Sequence, residues 1–127
     1  MNSSHLEYLQ KNNFSKQLKR LEEKLATKSI IIYGAGVFFK EIVTNYNLRN
    51  LNIIAITDRS FSQEGTYLGY PTCTVKDIKI HNPDYILVGT LNYTDIIDEL
   101  EQKLGKDIKI FPLVKKPIID IWKEIWE

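Results

Sequence analysis

The residues of this chain whose types and spacing invite chemistry are two glycines and an aspartate. Residues 29–42 read SIIIYGAGVFFKEI: an apolar, β-branched run, a turn through Gly34 and Gly36, then helical spacing. Glycines so placed let a strand turn tightly into a helix. They also let the backbone approach an anion at the helix N-terminus, where free amides and the helix dipole favour negative charge. The pattern is that of a dinucleotide fingerprint in which Phe39 stands where a third glycine would let helix and strand pack closely. Its loss leaves the anion site in place and changes the helix packing, with Phe38 and Phe39 expected to add bulk beside the phosphate path. Asp58 ends the next apolar run about 20 residues further on, where a carboxylate accepts hydrogen bonds from ribose hydroxyls. Arg59, beside it, offers either a phosphate contact or a neutralising partner for the aspartate.

These residues need a sheet behind them. Ile30 to Tyr33 are unbrokenly apolar, as in a strand buried on both faces of a parallel sheet. Further runs lie at 53–56, 85–88 and 108–111. Helical spacing follows the first run (Val37, Phe38, Ile42, Val43) and the third (Ile96, Ile97, Leu100, Leu104), the latter capped by Asn92 or Thr94 and stopped by Gly105. Residues 59–74, with Gly65, Gly69 and Pro71, read as a loop holding a short extended piece at Tyr70 to Cys73. Thr74 with Asp77 starts a helical turn. Strands alternating with helices predict an α/β fold: a Rossmann-like three-layer sandwich with a parallel sheet of at least four strands, ordered 2-1-3-4 over those four runs. The chain reverses direction between strands 1 and 3, and open α/β sheets bind ligands in the crevice at the carboxyl ends of such strands. Gly34, Gly36 and the turn from Gly89 through Thr90 to Asn92 border that crevice.

Upstream, Leu18, Leu21 and Leu25 recur at helical spacing, with Ser15 as a cap. Residues 1–27 are therefore expected to form an N-terminal helical arm and residues 28–127 the main domain. Pro117 opens a last helix carrying Ile118, Ile121, Trp122, Ile125 and Trp126. Both amphipathic pieces either cover the sheet or join a partner, and arms of this kind often pair around a two-fold axis as a homodimer.

Composition narrows the function classes. Lys plus Arg, 17, nearly balances Asp plus Glu, 16, which argues against nucleic-acid binding by bulk charge. At 127 residues the chain suits one domain, too short for a dehydrogenase with a separate substrate domain. No run is long enough for a membrane span, and the first residues lack the basic and apolar regions of a signal peptide, which points to the cytoplasm. A lone Cys73 forms no internal disulfide and reads as a packed residue. His5 and His81 read as surface residues. A Walker lysine, a Gly-x-Ser-x-Gly elbow and a His/Cys cluster at metal-ligand spacing are all missing, so neither catalytic nor metal residues are assigned.

Four stretches, IIIYGAGVFFKEI, IIAITDRS, GTYLGYPTCTVKDI and PDYILVGTLN, together resemble the Rossmann-like domain of bacterial sugar-nucleotide enzymes over roughly residues 29–112. Such domains precede the acyltransferase part of sugar-nucleotide N-acetyltransferases and the catalytic part of sugar dehydratases, and accompany some sugar methyltransferases. The step Gly69-Tyr70-Pro71 is the most telling element. The resemblance implies that Gly34, Ala35 and Gly36 lie under a phosphate, that Asp58 faces the ribose or base, and that Gly89 to Asn92 closes the far side. Acetyltransferase relatives often carry a further glycine and a histidine after the turn. Here Val37, Phe38 and Phe39 occupy those places, and the β-helix that would hold an acetyl donor is absent from the sequence.

Three readings follow. The first is a nucleotide or sugar-nucleotide binding module of surface-polysaccharide or glycan biosynthesis without a complete catalytic set. Its ligand would be a UDP-sugar, NAD(P) or CoA, and a larger glycan-biosynthesis enzyme is a possible partner. The second is a degenerate Rossmann domain that dimerises or docks and binds no ligand. The third, a small NAD(P)-dependent sugar-nucleotide enzyme, ranks last for want of a paired acid and base.

Overall fold

A stretch that is apolar at every position has no polar face to turn to water, so it needs cover on both sides. In the computed structural model, which describes residues 4–116, that cover comes from helices on the two faces of a six-stranded sheet. The elements run α1 (Ser4–Lys11), α2 (Phe14–Lys24), β1 (Ser29–Tyr33), α3 (Val37–Asn45), β2 (Asn52–Thr57), β3 (Gly65–Tyr67) and β4 (Tyr70–Cys73). A 3-10 turn (Val75–Asp77) leads into α4 (Ile78–His81), followed by β5 (Tyr85–Val88), α5 (Thr94–Leu104) and β6 (Lys109–Pro112). The helix expected from Pro117 lies outside the described residues.

The strand order is β3-β4-β2-β1-β5-β6. All neighbours are parallel except the β3–β4 hairpin, which makes the sheet mixed. The four apolar runs are β2, β1, β5 and β6, side by side in that order, and the hairpin extends the sheet beyond β2. Residues 59–74 are thus not a plain loop. The hairpin escapes sequence reading because β3 is three residues long and its two-residue turn puts Leu68 (φ 53°) ahead of Gly69 (φ 85°). Such turns demand positive φ at both positions and advertise themselves through Asn, Asp or Gly, so a leucine there hides one.

Ile30, Ile32 and Leu87 face α1, α2 and α3, while Ile31, Tyr33, Ile86 and Val88 face α4 and α5. The alternation along β1 and β5 follows the period of two, with both sets buried. The segment expected as an arm belongs to this core. Leu9, Phe14 and Leu25 are fully buried and Leu18 nearly so, and Phe14 meets Tyr46 edge-on at 4.9 Å. Asn13, in the left-handed region (φ 52°), turns the chain from α1 into α2, so Ser15 lies inside the helix instead of capping it.

A second tie is made by Gln17 on α2. Its amide donates to the carbonyl of Lys115 (3.1 Å) and accepts from the Lys115 N–H (2.9 Å), a reciprocal pair that locks the strand-exit segment to α2. Because α2 fills the core instead of standing off it, Phe14→Ala should lower unfolding free energy by about 3–5 kcal/mol in a denaturant titration. A loss under about 1 kcal/mol would mean that the arm packs loosely.

Candidate functional site

The carboxyl ends of β1 and β5 meet where the chain crosses from one half of the sheet to the other. Gly34 N–H donates to the Thr57 carbonyl (2.9 Å) and Gly89 N–H to the Tyr33 carbonyl (2.8 Å), so both turns leave directly from the ladder. Within them the glycines have unlike reasons to be there. Gly34 is buried with φ +113°, and a Cβ on it would lie 2.8 Å from Thr90 Cγ2. Chain geometry alone demands it. Gly36 has φ −84°, open to any residue, and a Cβ there would meet nothing within 4 Å. Neither φ nor crowding requires this second glycine, which holds the N-cap position of α3.

Gly89 accounts for the missing third one. A Cβ on Gly89 would come within 3.1 Å of Phe39 Cδ1 and 3.6 Å of Ile32 Cγ2. Phe39, fully buried, fills the space that Gly89 leaves, so the close contact of α3 with the sheet is kept with the roles exchanged: the helix supplies the bulk and the strand end the gap. Phe38 is buried under α1, edge-on to His5 (5.4 Å) and Tyr8 (6.1 Å). Neither phenylalanine stands beside the turn's open side as bulk, and His5 is a half-buried ring partner instead of a free surface residue. Val37, 67% exposed, is the apolar side chain that the turn presents to solvent.

Asp58, just past β2, reaches across to this turn. Its Oδ2 accepts a hydrogen bond from Ala35 N–H (2.7 Å), and its Oδ1 accepts from the Ser60 N–H (2.9 Å) and hydroxyl (2.8 Å). Burial pushes the carboxyl pKa up, but the donors on Ala35 and Ser60, together with the nearby Arg59 charge, outweigh it and hold the group below the usual aspartate range. The aspartate is therefore an ionised clamp on the turn that keeps lone pairs for further donors. Sequence spacing singles out Asp58 but not its bond to Ala35, because backbone amides carry no residue signature. The Asp-Arg-Ser order does signal the local turn closed on Ser60.

Arg59 turns to the other face. Its guanidinium lies 3.8 Å from Glu99 on α5, and contact with the Tyr33 hydroxyl and with Glu99 raises its pKa. It does not pair with Asp58 at salt-bridge distance. Thr90 closes over Gly34 through its methyl, its hydroxyl lying 3.4 Å from the Asn92 carbonyl, and exposed Asn92 stands before α5 without capping it. Buried Cys73, with its thiol pKa pushed up by burial, is a packing residue. Among the described residues no group of three His, Cys, Asp or Glu side chains is placed to hold a metal ion, and no helix is long and apolar enough to cross a membrane.

The region from the end of α2 through most of β6, residues 26–111, matches the family described as C2185-like, N-terminal. The chain belongs to this family. The match takes in the glycine turn, Asp58 and the Gly89 turn, and leaves out α1 and α2, so the C2185-like portion is the sheet with its site. No curated protein matches the chain.

The clamp has a pH signature. Since the folded-state pKa of Asp58 is depressed, its contribution to stability is complete above the unfolded value of about 4 and is lost as pH falls through the folded value. Melting temperatures measured on acidification should fall more steeply for the wild type than for Asp58→Asn, the two curves converging at the acid end. Parallel curves would remove the ionised clamp from the account.

Proposed function

We propose that this chain is a nucleotide- or sugar-nucleotide-binding module with a Rossmann-like site, acting in the cytoplasm in glycan or surface-polysaccharide biosynthesis and lacking a complete catalytic set of its own. The observation that carries the reading is Gly36. It caps the N-terminus of α3 in ordinary backbone geometry with empty space over its Cα, which leaves room for something other than the chain to approach closely. The first-turn amides of α3 have no intrahelical acceptor, and no side chain caps them. A phosphate laid across Gly36 meets those donors and the positive end of the helix.

Asp58 stands next to that phosphate position. With one lone pair on Ala35 and others on Ser60, it is held rigid and still accepts hydrogen bonds from hydroxyls of a ribose or sugar. Val37 supplies an exposed apolar surface at the same edge. A UDP-sugar, NAD(P) or CoA has the required parts: a phosphate group and a hydroxyl-bearing ring. The glycan pathway enters through the sequence resemblance to sugar-nucleotide enzymes. Asp58 enters this reading as a binding group, an ionised acceptor held by Ala35 and Ser60 with acceptor capacity to spare, and no catalytic role is assigned to it.

The two glycines separate binding from folding. Gly34→Ala should cost stability by about 1–3 kcal/mol through strain at positive φ. Gly36→Ala should cost less than about 1 kcal/mol. Thermal melts with millimolar UDP-sugars, NAD, NADP and CoA should show a raised midpoint for one of them in the wild type, with the rise abolished in Gly36→Ala. Asp58→Ala should weaken the same ligand by about 1–3 kcal/mol. No rise with any ligand would sink the binding reading and leave a ligand-free interaction domain.

A further inference from the structure

We propose that the cleft between α2 and the segment following β6 is a second binding site, for an amphipathic anion: a small molecule with an apolar body ending in a phosphate or carboxylate. The cleft encloses about 480 Å³, within the roughly 300–1,000 Å³ typical of small-molecule sites. Its apolar part is the half-buried surface of Leu21 and Phe111 over buried Leu25 and Leu113. Although acids and bases nearly balance over the whole chain, every charged residue lining the cleft is basic.

Helical spacing produces this arrangement. Gln17, Leu21 and Leu25 follow one another by four residues down the side of α2 that turns inward, and Lys16, Arg20 and Lys24 follow one another by four along the adjoining exposed rim. Lys24 already lies over the Phe111 ring at 4.6 Å, a cation placed against the apolar wall. Lys16, Arg20 and Lys115 form no ion pair among the described residues, so their charges are available to a ligand. The opposite wall is fixed as well: the reciprocal bonds of Gln17 with the Lys115 backbone hold the segment after β6 at a set distance from α2. The cleft is thus built before any ligand arrives, with grease at its base and cations at its mouth. It lies beside β6 and is lined by none of Gly34, Ala35, Gly36 and Asp58, and both its α2 wall and residues 112–116 fall outside the family match.

Calorimetric titration of the full chain with octyl phosphate, octanoate, octyl glucoside and inorganic phosphate, all kept below micelle concentrations, tests the proposal. One or both octyl anions should bind saturably, at least about tenfold tighter than octyl glucoside or inorganic phosphate, and the phosphate and carboxylate arms identify the head group. The double variant Lys16→Glu/Arg20→Glu, at two exposed positions and with an unchanged melting temperature as its folding check, should weaken the anion about tenfold. Amide shifts on binding should centre on Leu21, Phe111 and Leu113. Absence of saturable binding, equal binding of octyl glucoside, unchanged affinity in the double variant, or shifts centred on Gly36 would each overturn it.

Discussion

The contact between Phe39 and Gly89 sets the geometry on which the site depends. A helix that follows a buried strand must lie close enough to the sheet to share its core, yet its first turn must stay open at the strand's end. Putting a phenylalanine on the helix and a glycine on the neighbouring strand end meets both needs. The ring fills the gap over Gly89 and Ile32, α3 is held down by a fully buried side chain, and the amides of its first turn are left at the edge of the crevice. Burying one such aromatic is worth about 1.5–3 kcal/mol, enough to fix the helix without a third glycine in the turn.

Around that contact the other parts fall into place by short-range rules. Gly34 turns without a Cβ that would crowd Thr90, Asp58 closes the turn from the side by accepting the Ala35 amide, and Phe38 packs edge-on against His5 and Tyr8 of α1. Arg59 is drawn to Glu99 and Tyr33, which leaves the turn flanked by a carboxylate and not by an arginine. On the proposed reading, a ligand would bring its phosphate to the helix and its hydroxyls to the aspartate, each group meeting the complementary partner.

Much of this was legible in the residues, and the remainder was not for identifiable reasons. The runs that became β1, β2, β5 and β6 announce themselves because apolar positions in a doubly covered sheet are uninterrupted, and Gly105 stops α5 where its spacing ends. The hairpin of β3 and β4 was half visible, since Leu68 adopts a conformation its side chain does not advertise. The meaning of Phe39 could not be read from its own position, because its partner Gly89 lies in another strand and only the fold brings them together. Gln17 gave no signal: an amide that pairs with a distant backbone looks the same in sequence as one facing water.

That glutamine also has a bearing on the order in which the molecule assembles. Its partner is 98 residues away, and the segment it grips follows the last strand of the sheet. A bond spanning so much chain costs less to close once the intervening strands lie side by side, because each pairing shortens the loop that must be brought together. The apolar side of α2 already rests on β1 and α3, and the Gln17 pair adds a clasp that ties this helix to the far edge of the sheet.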